Sequence, residues 1–323
     1  MTSDRKQGIL ALIVGATLLM AVAFPARAME VPDAIRKLVV REFPGATITE
    51  IRKDVYQGQP VTEVEFVAQD GVEYEMLVSE EGGVLRVEEE KGLPWIGGEL
   101  ALGLGVMVER DIYKGVDTEV EPAPFLRYEN GPFKIRAYEG VDVTYAFFRT
   151  DRFSVAVGGF YEQGEGYDPD DSDYLKGMKA LDDLFGAGLY LETEVVGFTA
   201  GLQLHQDLSG ESDGQEVELS IVYPWFVAGF EIRPELNMTW LSEKTVDYYY
   251  GVSAQEARSD RPIYSPGSSF EFGLGLMIQR PIFGNFTAVG MVEASTFGSE
   301  IKDSPLVDED FGWDAVIGVI YEF

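Results

Sequence analysis

A nucleophile–base pair is the smallest unit of hydrolytic chemistry, and this chain holds one histidine, His205, and no cysteine from which to build one. The sequence contains no Gly-x-Ser-x-Gly, no His-Glu-x-x-His and no phosphate-cradling glycine loop. His205 lies on the polar register of an alternating segment, beside the loop that follows it, where a lone imidazole activates nothing. No catalytic or cofactor site is expected. Carboxylates are the commoner donors. Asp168-Pro169-Asp170-Asp171-Ser172-Asp173 has the acidic density of a calcium loop, but an EF-hand needs Gly sixth and Glu twelfth, and Asp173 and Lys179 stand there. The motif fails, which leaves at most loose divalent binding by a solvated loop. A second set, Asp142, Glu218, Glu231, Glu235, Glu271, Glu293 and Asp314, alternates with apolar residues and faces only Arg127 and Arg233 as counter-charges. If these residues line a wet lumen, that lumen favours cations.

The elements that would hold such a register follow from the bulk composition. The formal charge is −31, from 56 acids against 25 bases, so the chain repels phosphate backbones and nucleic acid is not an expected partner. With no cysteine there is neither a disulfide nor a lipoprotein anchor, and stability must come from packing and backbone pairing. No segment after residue 22 has the roughly 18 unbroken apolar residues of a spanning helix. Arg5 and Lys6, the apolar run from Gly8 to Val22 and Ala26-Arg27-Ala28 read as an export signal, with cleavage expected after Ala28.

Residues 29–92 read as a small α+β module. Pro32 opens a helix that carries Ile35, Leu38 and Val39 at helical spacing and stops at Pro44-Gly45. Four strands are expected, over Thr47–Tyr56, Val61–Ala68, Val72–Val78 and Val84–Glu88. On the middle pair, Val64, Phe66, Val72, Tyr74 and Met76 share one face, while Glu63, Glu65, Glu73 and Glu75 form a face expected to stay wet. With Phe43-Pro44-Gly45-Ala46 and Val72-Glu73-Tyr74-Glu75, this order resembles the PepSY-like family of small periplasmic domains, some of which are thought to bind or inhibit periplasmic enzymes.

Residues 95–323 alternate with period two in block after block. Phe270, Phe272, Leu274, Leu276 and Ile278 alternate with Glu271, Gly273, Gly275, Met277 and Gln279. Twelve strands are expected, near 98–110, 120–129, 133–139, 141–149, 153–163, 184–192, 195–205, 215–225, 230–240, 269–279, 286–297 and 311–323. Their connections alternate between tight ones, such as Asn130–Pro132 and Thr193-Glu194, and long ones, such as Gly164–Asp183 and Leu241–Ser268. Short turns on one side, long loops on the other and an even strand count predict an all-β transmembrane antiparallel barrel in the outer membrane, its turns periplasmic. Lipid forbids open edges, so such a sheet must close. Pro234 inside a strand removes one ladder donor, for which the sequence gives no reason.

The final strand, from Phe311 to Phe323, alternates to a terminal aromatic. Tyr321 and Phe323 look like the signal read by the barrel assembly machinery. Asp171-Ser172-Asp173-Tyr174-Leu175-Lys176-Gly177-Met178, Gln206-Asp207-Leu208-Ser209-Gly210, Tyr249-Tyr250-Gly251-Val252 and Tyr321-Glu322-Phe323 occur in that order, and residues 95–323 resemble the MipA/OmpV family of outer-membrane proteins. The resemblance implies a scaffold joining a lytic murein transglycosylase to a murein synthase, with the N-terminal module in the periplasm. A narrow channel for small cationic solutes is the alternative.

Overall fold

The computed structural model describes residues 32–56, 59–69, 72–89, 97–138, 140–150, 152–162 and 166–323. Ala28 and the export signal lie outside them. The chain divides into two compact units, the boundary falling between residues 89 and 90 apart from the stretch 55–59.

In the first unit, helix α1 (Asp33–Glu42) follows Pro32, whose carbonyl accepts from the Arg36 amide. Gly45, at φ +84°, turns the chain out of the helix into a four-stranded antiparallel meander. Its strands are β1 (Thr47–Tyr56), β2 (Gln59–Val67), β3 (Glu73–Ser79) and β4 (Val84–Glu89). Val39 of the helix packs on Val64, Phe66, Met76 and Val78. Phe43 closes the end of this core, its ring 4.7 Å from Phe66 and 4.9 Å from Tyr74. The opposite face departs from the expected pattern: Glu63 and its cross-strand partner Leu77 are both buried.

The second unit is a closed antiparallel sheet. Its strands are β5 (Glu99–Arg110), β6 (Glu119–Asn130), β7 (Phe133–Ala137), β8 (Gly140–Arg149), β9 (Phe153–Glu162) and β10 (Leu184–Val195). They continue as β11 (Phe198–Asp207), β12 (Gln215–Val222), β13 (Trp225–Val227), β14 (Phe230–Leu241), β15 (Ser269–Phe283), β16 (Phe286–Phe297) and β17 (Phe311–Glu322). Each strand pairs with the next, except that β12 pairs with β14, and β17 pairs with β5 from Trp313↔Arg110 to Glu322↔Ala101, which closes the ring. Strands β12 and β13 both pair with β14, so they form one stave interrupted at Tyr223-Pro224, and the barrel has the expected twelve staves.

That interruption accounts for Pro234. Its carbonyl accepts from Tyr223 (3.1 Å), so its ring nitrogen, which has no hydrogen to give, faces the broken segment where little acceptor is lost. One turn is corrected. Strand β10 runs on through Thr193-Glu194, and the hairpin turns instead at Val196-Gly197, with φ +51° and +82°. Ala228-Gly229 repeats the pattern at φ +53° and +79°. Paired positive φ values match the right-handed twist of the flanking strands, and the glycine carries half of each turn.

Alternation decides which residues face out. Leu104, Val106, Leu236, Phe272, Leu274, Ile317 and Val319 are exposed on the outer surface, as expected for a wall that meets hydrocarbon. Among the described residues no helix is long and apolar enough to cross a membrane.

Candidate functional site: a capped, acidic lumen

The inner register carries the seven alternating acids and the two arginines singled out from the sequence, whereas Asp168–Asp173 lie in a loop. Direct cross-strand pairing sets Glu119 against Glu109, Glu109 against Asp314 and Asp314 against Glu293. Glu293 faces Gly275, and Glu235 lies beyond it. Like charges directly opposite on one face destabilise a sheet, so this row is kept against the interest of pairing. Partial relief comes from amides and a phenol. Asn237 Nδ2 donates to Glu293 Oε1 (3.0 Å), Gln203 Nε2 to Glu218 Oε1 (3.1 Å) and Tyr190 Oη to Asp142 Oδ1 (3.0 Å). Gln279 Nε2 donates to Glu231, and Arg127 pairs with Glu322 at 3.3 Å. Glu109 and Glu119, absent from the expected set, lie at strand ends where alternation is weakest, and only the register reveals them.

Two groups of rings lie inside the barrel on floors of glycine. Phe125 stacks on Tyr138 (centroids 5.0 Å, planes 6° apart) and rests against Gly105 and Gly318, where a Cβ would come 3.1 and 3.0 Å from its ring. Phe160 packs against His205 (4.8 Å), with Tyr190 edge-on to the imidazole (5.4 Å), over Gly186 and Gly188. His205 therefore sits in a ring stack. Its Nε2 has no hydrogen-bond partner among the described residues.

The long loops are not loose acidic fringes. They fold together into a cap over one end of the barrel, around Tyr113, Tyr167, Leu175, Met178, Leu181, Val252 and Leu306. Helices α2 (Glu243–Tyr250) and α3 (Ser299–Lys302) belong to it, the first capped by Ser242 Oγ accepting from the Thr245 amide. Tyr113 meets Tyr167 edge-on at 5.2 Å and stacks on Tyr250 at 5.6 Å. Arg261 is almost fully buried and donates to the carbonyls of Tyr174, Lys176 and Glu256, pinning two loops to each other. Burial alone would raise the Glu256 carboxyl. The bonds it accepts from Ser253 and from the Lys179 amide outweigh that and hold it below the usual range.

Three of the sequence motifs quoted above meet here. Asp171–Met178 and Tyr249–Val252 supply the cap core. Asp207 accepts from the amides of Ser209, Ser212 and Asp213 and from both serine hydroxyls, closing the β11–β12 loop. The Asp168–Asp173 carboxylates are likewise engaged locally: Asp171 accepts from the Asp168 amide, Asp168 from the Asp170 amide, and Asp173 pairs with Lys176. At the other end, Tyr321 and Phe323 pack edge-to-face at 4.8 Å, and the Phe323 amide donates to the Leu100 carbonyl across the closing seam.

Comparison with known proteins agrees with this architecture. The family model described as MltA-interacting protein MipA matches residues 102–323. The MltA-interacting protein of Escherichia coli (strain K12) is 29% identical over 251 residues, covering 75% of this chain and 96% of that protein. A putative outer membrane protein of the same strain, YiaT, is 24% identical, with 70% and 91% covered. Outer membrane protein OmpV of Vibrio cholerae is 25% identical, with 56% and 71% covered. A closed twelve-stave barrel, an outward apolar register and a family match over nearly all of it lead to one conclusion: the chain belongs to the MipA family of outer-membrane β-barrel proteins.

Proposed function

We propose that the barrel spans the outer membrane with its short turns in the periplasm and its cap outside, and that it anchors a murein transglycosylase to the inner face of that membrane. The observation that carries this reading is the match to the E. coli MltA-interacting protein over 96% of that protein's length. The contrast between short turns at one end and long loops at the other supports the orientation. Removal of an export signal after Ala28 precedes insertion, and residues 29–92 form a PepSY-like domain in the periplasm, ahead of a barrel over 95–323. Membrane lipid surrounds the wall, and the assembly machinery reads Tyr321 and Phe323. A murein synthase is the second partner of the scaffold.

The test is co-elution of the detergent-extracted full chain with a purified lytic transglycosylase of the MltA type, together with crosslinking in intact cells. A stable complex supports the anchor. A chain that migrates alone, and that crosslinks to no murein enzyme, overturns it. The luminal carboxylate row favours a second reading, a narrow cation channel. Cation-selective conductance in planar bilayers would support it, whereas silence or anion preference would end it.

A further inference from the structure

Among the described residues the loop end of the barrel wall has one deep gap. At the loop end, each strand overhangs its neighbour by no more than two residues elsewhere around the ring. Strand β7 instead stops at Ala137, opposite Leu126, and leaves Glu119–Phe125 of β6 with no strand on that side. At about 3.3 Å per residue this frees some 20 Å of strand edge. At the loop end of the other staves no two successive residues are exposed, but Glu119, Val120, Glu121 and Pro122 are exposed in succession, with Val120 67% accessible.

Prolines fix the gap open. The Phe323 amide bonds the Leu100 carbonyl, so even-numbered residues of β5 point to β17 and odd-numbered ones to β6. Pairing of Gly103 with Phe125 then turns the odd-numbered residues of β6 toward β5 and leaves Val120, Pro122 and Pro124 facing the gap. Neither proline has a hydrogen to donate, so a longer β7 could not zip the edge shut. The same lack hinders an added strand from a peptide or a second copy.

The gap opens onto the apolar surface. Pro124 and Pro122 are paired with Leu104 and Val106, which face outward beside Val319 and Ile317. It thus runs from the rim down into the apolar band, and the stacked pair Phe125–Tyr138 lies at its lower end. No described strand faces the carbonyls of Val120 and Pro122, and water reaches this edge from the luminal side, which carries Glu119 and Glu121. The gap is therefore oily outside and wet inside.

We propose that this gap is a lateral portal through which an acyl chain of the surrounding lipid enters the lumen above Phe125 and Tyr138. The proposal rests on the reading that the barrel spans a membrane. A chain without cysteine allows a single thiol to be labelled cleanly. Full-length Glu121→Cys, Ser220→Cys and Leu104→Cys variants, each carrying a bimane label, are reconstituted in phosphatidylcholine vesicles that bear a nitroxide on the acyl chain. Glu121 and Ser220 are both luminal by register, and Leu104 faces out. The expected result is quenching at Glu121 close to that at Leu104 and several-fold above that at Ser220. Quenching at Glu121 no greater than at Ser220, with Leu104 strongly quenched, overturns the portal alone. Failure at Leu104 as well overturns the membrane reading beneath it. Glu119→Cys, on the same luminal register, repeats the measurement should Glu121→Cys not fold.

Discussion

Asp111 lies just beyond β5, where burial first and then the charges of Glu109, Glu119 and Asp171 push its carboxyl from the ordinary 3.8 up to about 7. A carboxyl raised in the folded state holds its proton more tightly there than in the unfolded chain. Its contribution is complete at low pH and is lost as pH rises from 3.8 through about 7. Asp111→Asn should therefore stabilise the barrel at pH 8 by about 1–3 kcal/mol and leave it unchanged near pH 4, read from urea midpoints in detergent micelles. Equal gains at both pH values would place the effect elsewhere. Arg261 makes a contrasting case: it shares the carbonyls of Tyr174 and Lys176 with Arg258 and donates twice to that of Glu256. Orphaning the Glu256 carbonyl costs about 1–3 kcal/mol and the Tyr174 and Lys176 carbonyls each lose a bond, so Arg261→Ala should loosen the cap and speed tryptic cleavage at Lys176 and Arg258 while the staves stay folded. Unchanged digestion would show that the cap holds without it. Gly186 admits no side chain, since a Cβ would collide with the Gln206 carbonyl oxygen and the Phe160 ring. Gly186→Ala should cost about 1–3 kcal/mol, and Gly290→Ala, whose nearest neighbour would be 3.9 Å away, almost nothing in the same urea series.

At the scale of elements, the terminal strand invites a direct test. Phe323→Ala keeps the backbone bond to Leu100 and loses the ring contact with Tyr321. Its expected outcome is a several-fold fall in barrel recovered from the outer membrane, with little change in the unfolding midpoint of what is recovered. A normal yield would mean that the aromatic terminus is structural only. The strands were largely legible because a wall with oil on one face and water on the other forces strict alternation, as along Phe270–Gln279. The Val196-Gly197 turn was not, since the polar pair Thr193-Glu194 offered a more familiar break than a β-branched residue at positive φ. Pro122 and Pro124 did carry a readable signal. Two prolines at the same parity mark an edge, but their meaning needs the length of the neighbouring strand.

For the whole molecule, the cap was invisible in sequence because its core gathers residues from distant loops with no common period. Fused loops over the mouth and ring stacks within the barrel weigh toward an anchor and against a free pore. The seam between β5 and β17 has its own consequence. It joins the stretches of the barrel most distant in sequence, so the ordering entropy for its closure is met late, after the intervening hairpins have formed. Until then the nascent sheet carries two raw margins, rich in Val, Leu and Ile, that would fuse with any neighbouring chain. Synthesis in the cytoplasm and closure in another compartment thus demand an escort that shields both margins and surrenders them together.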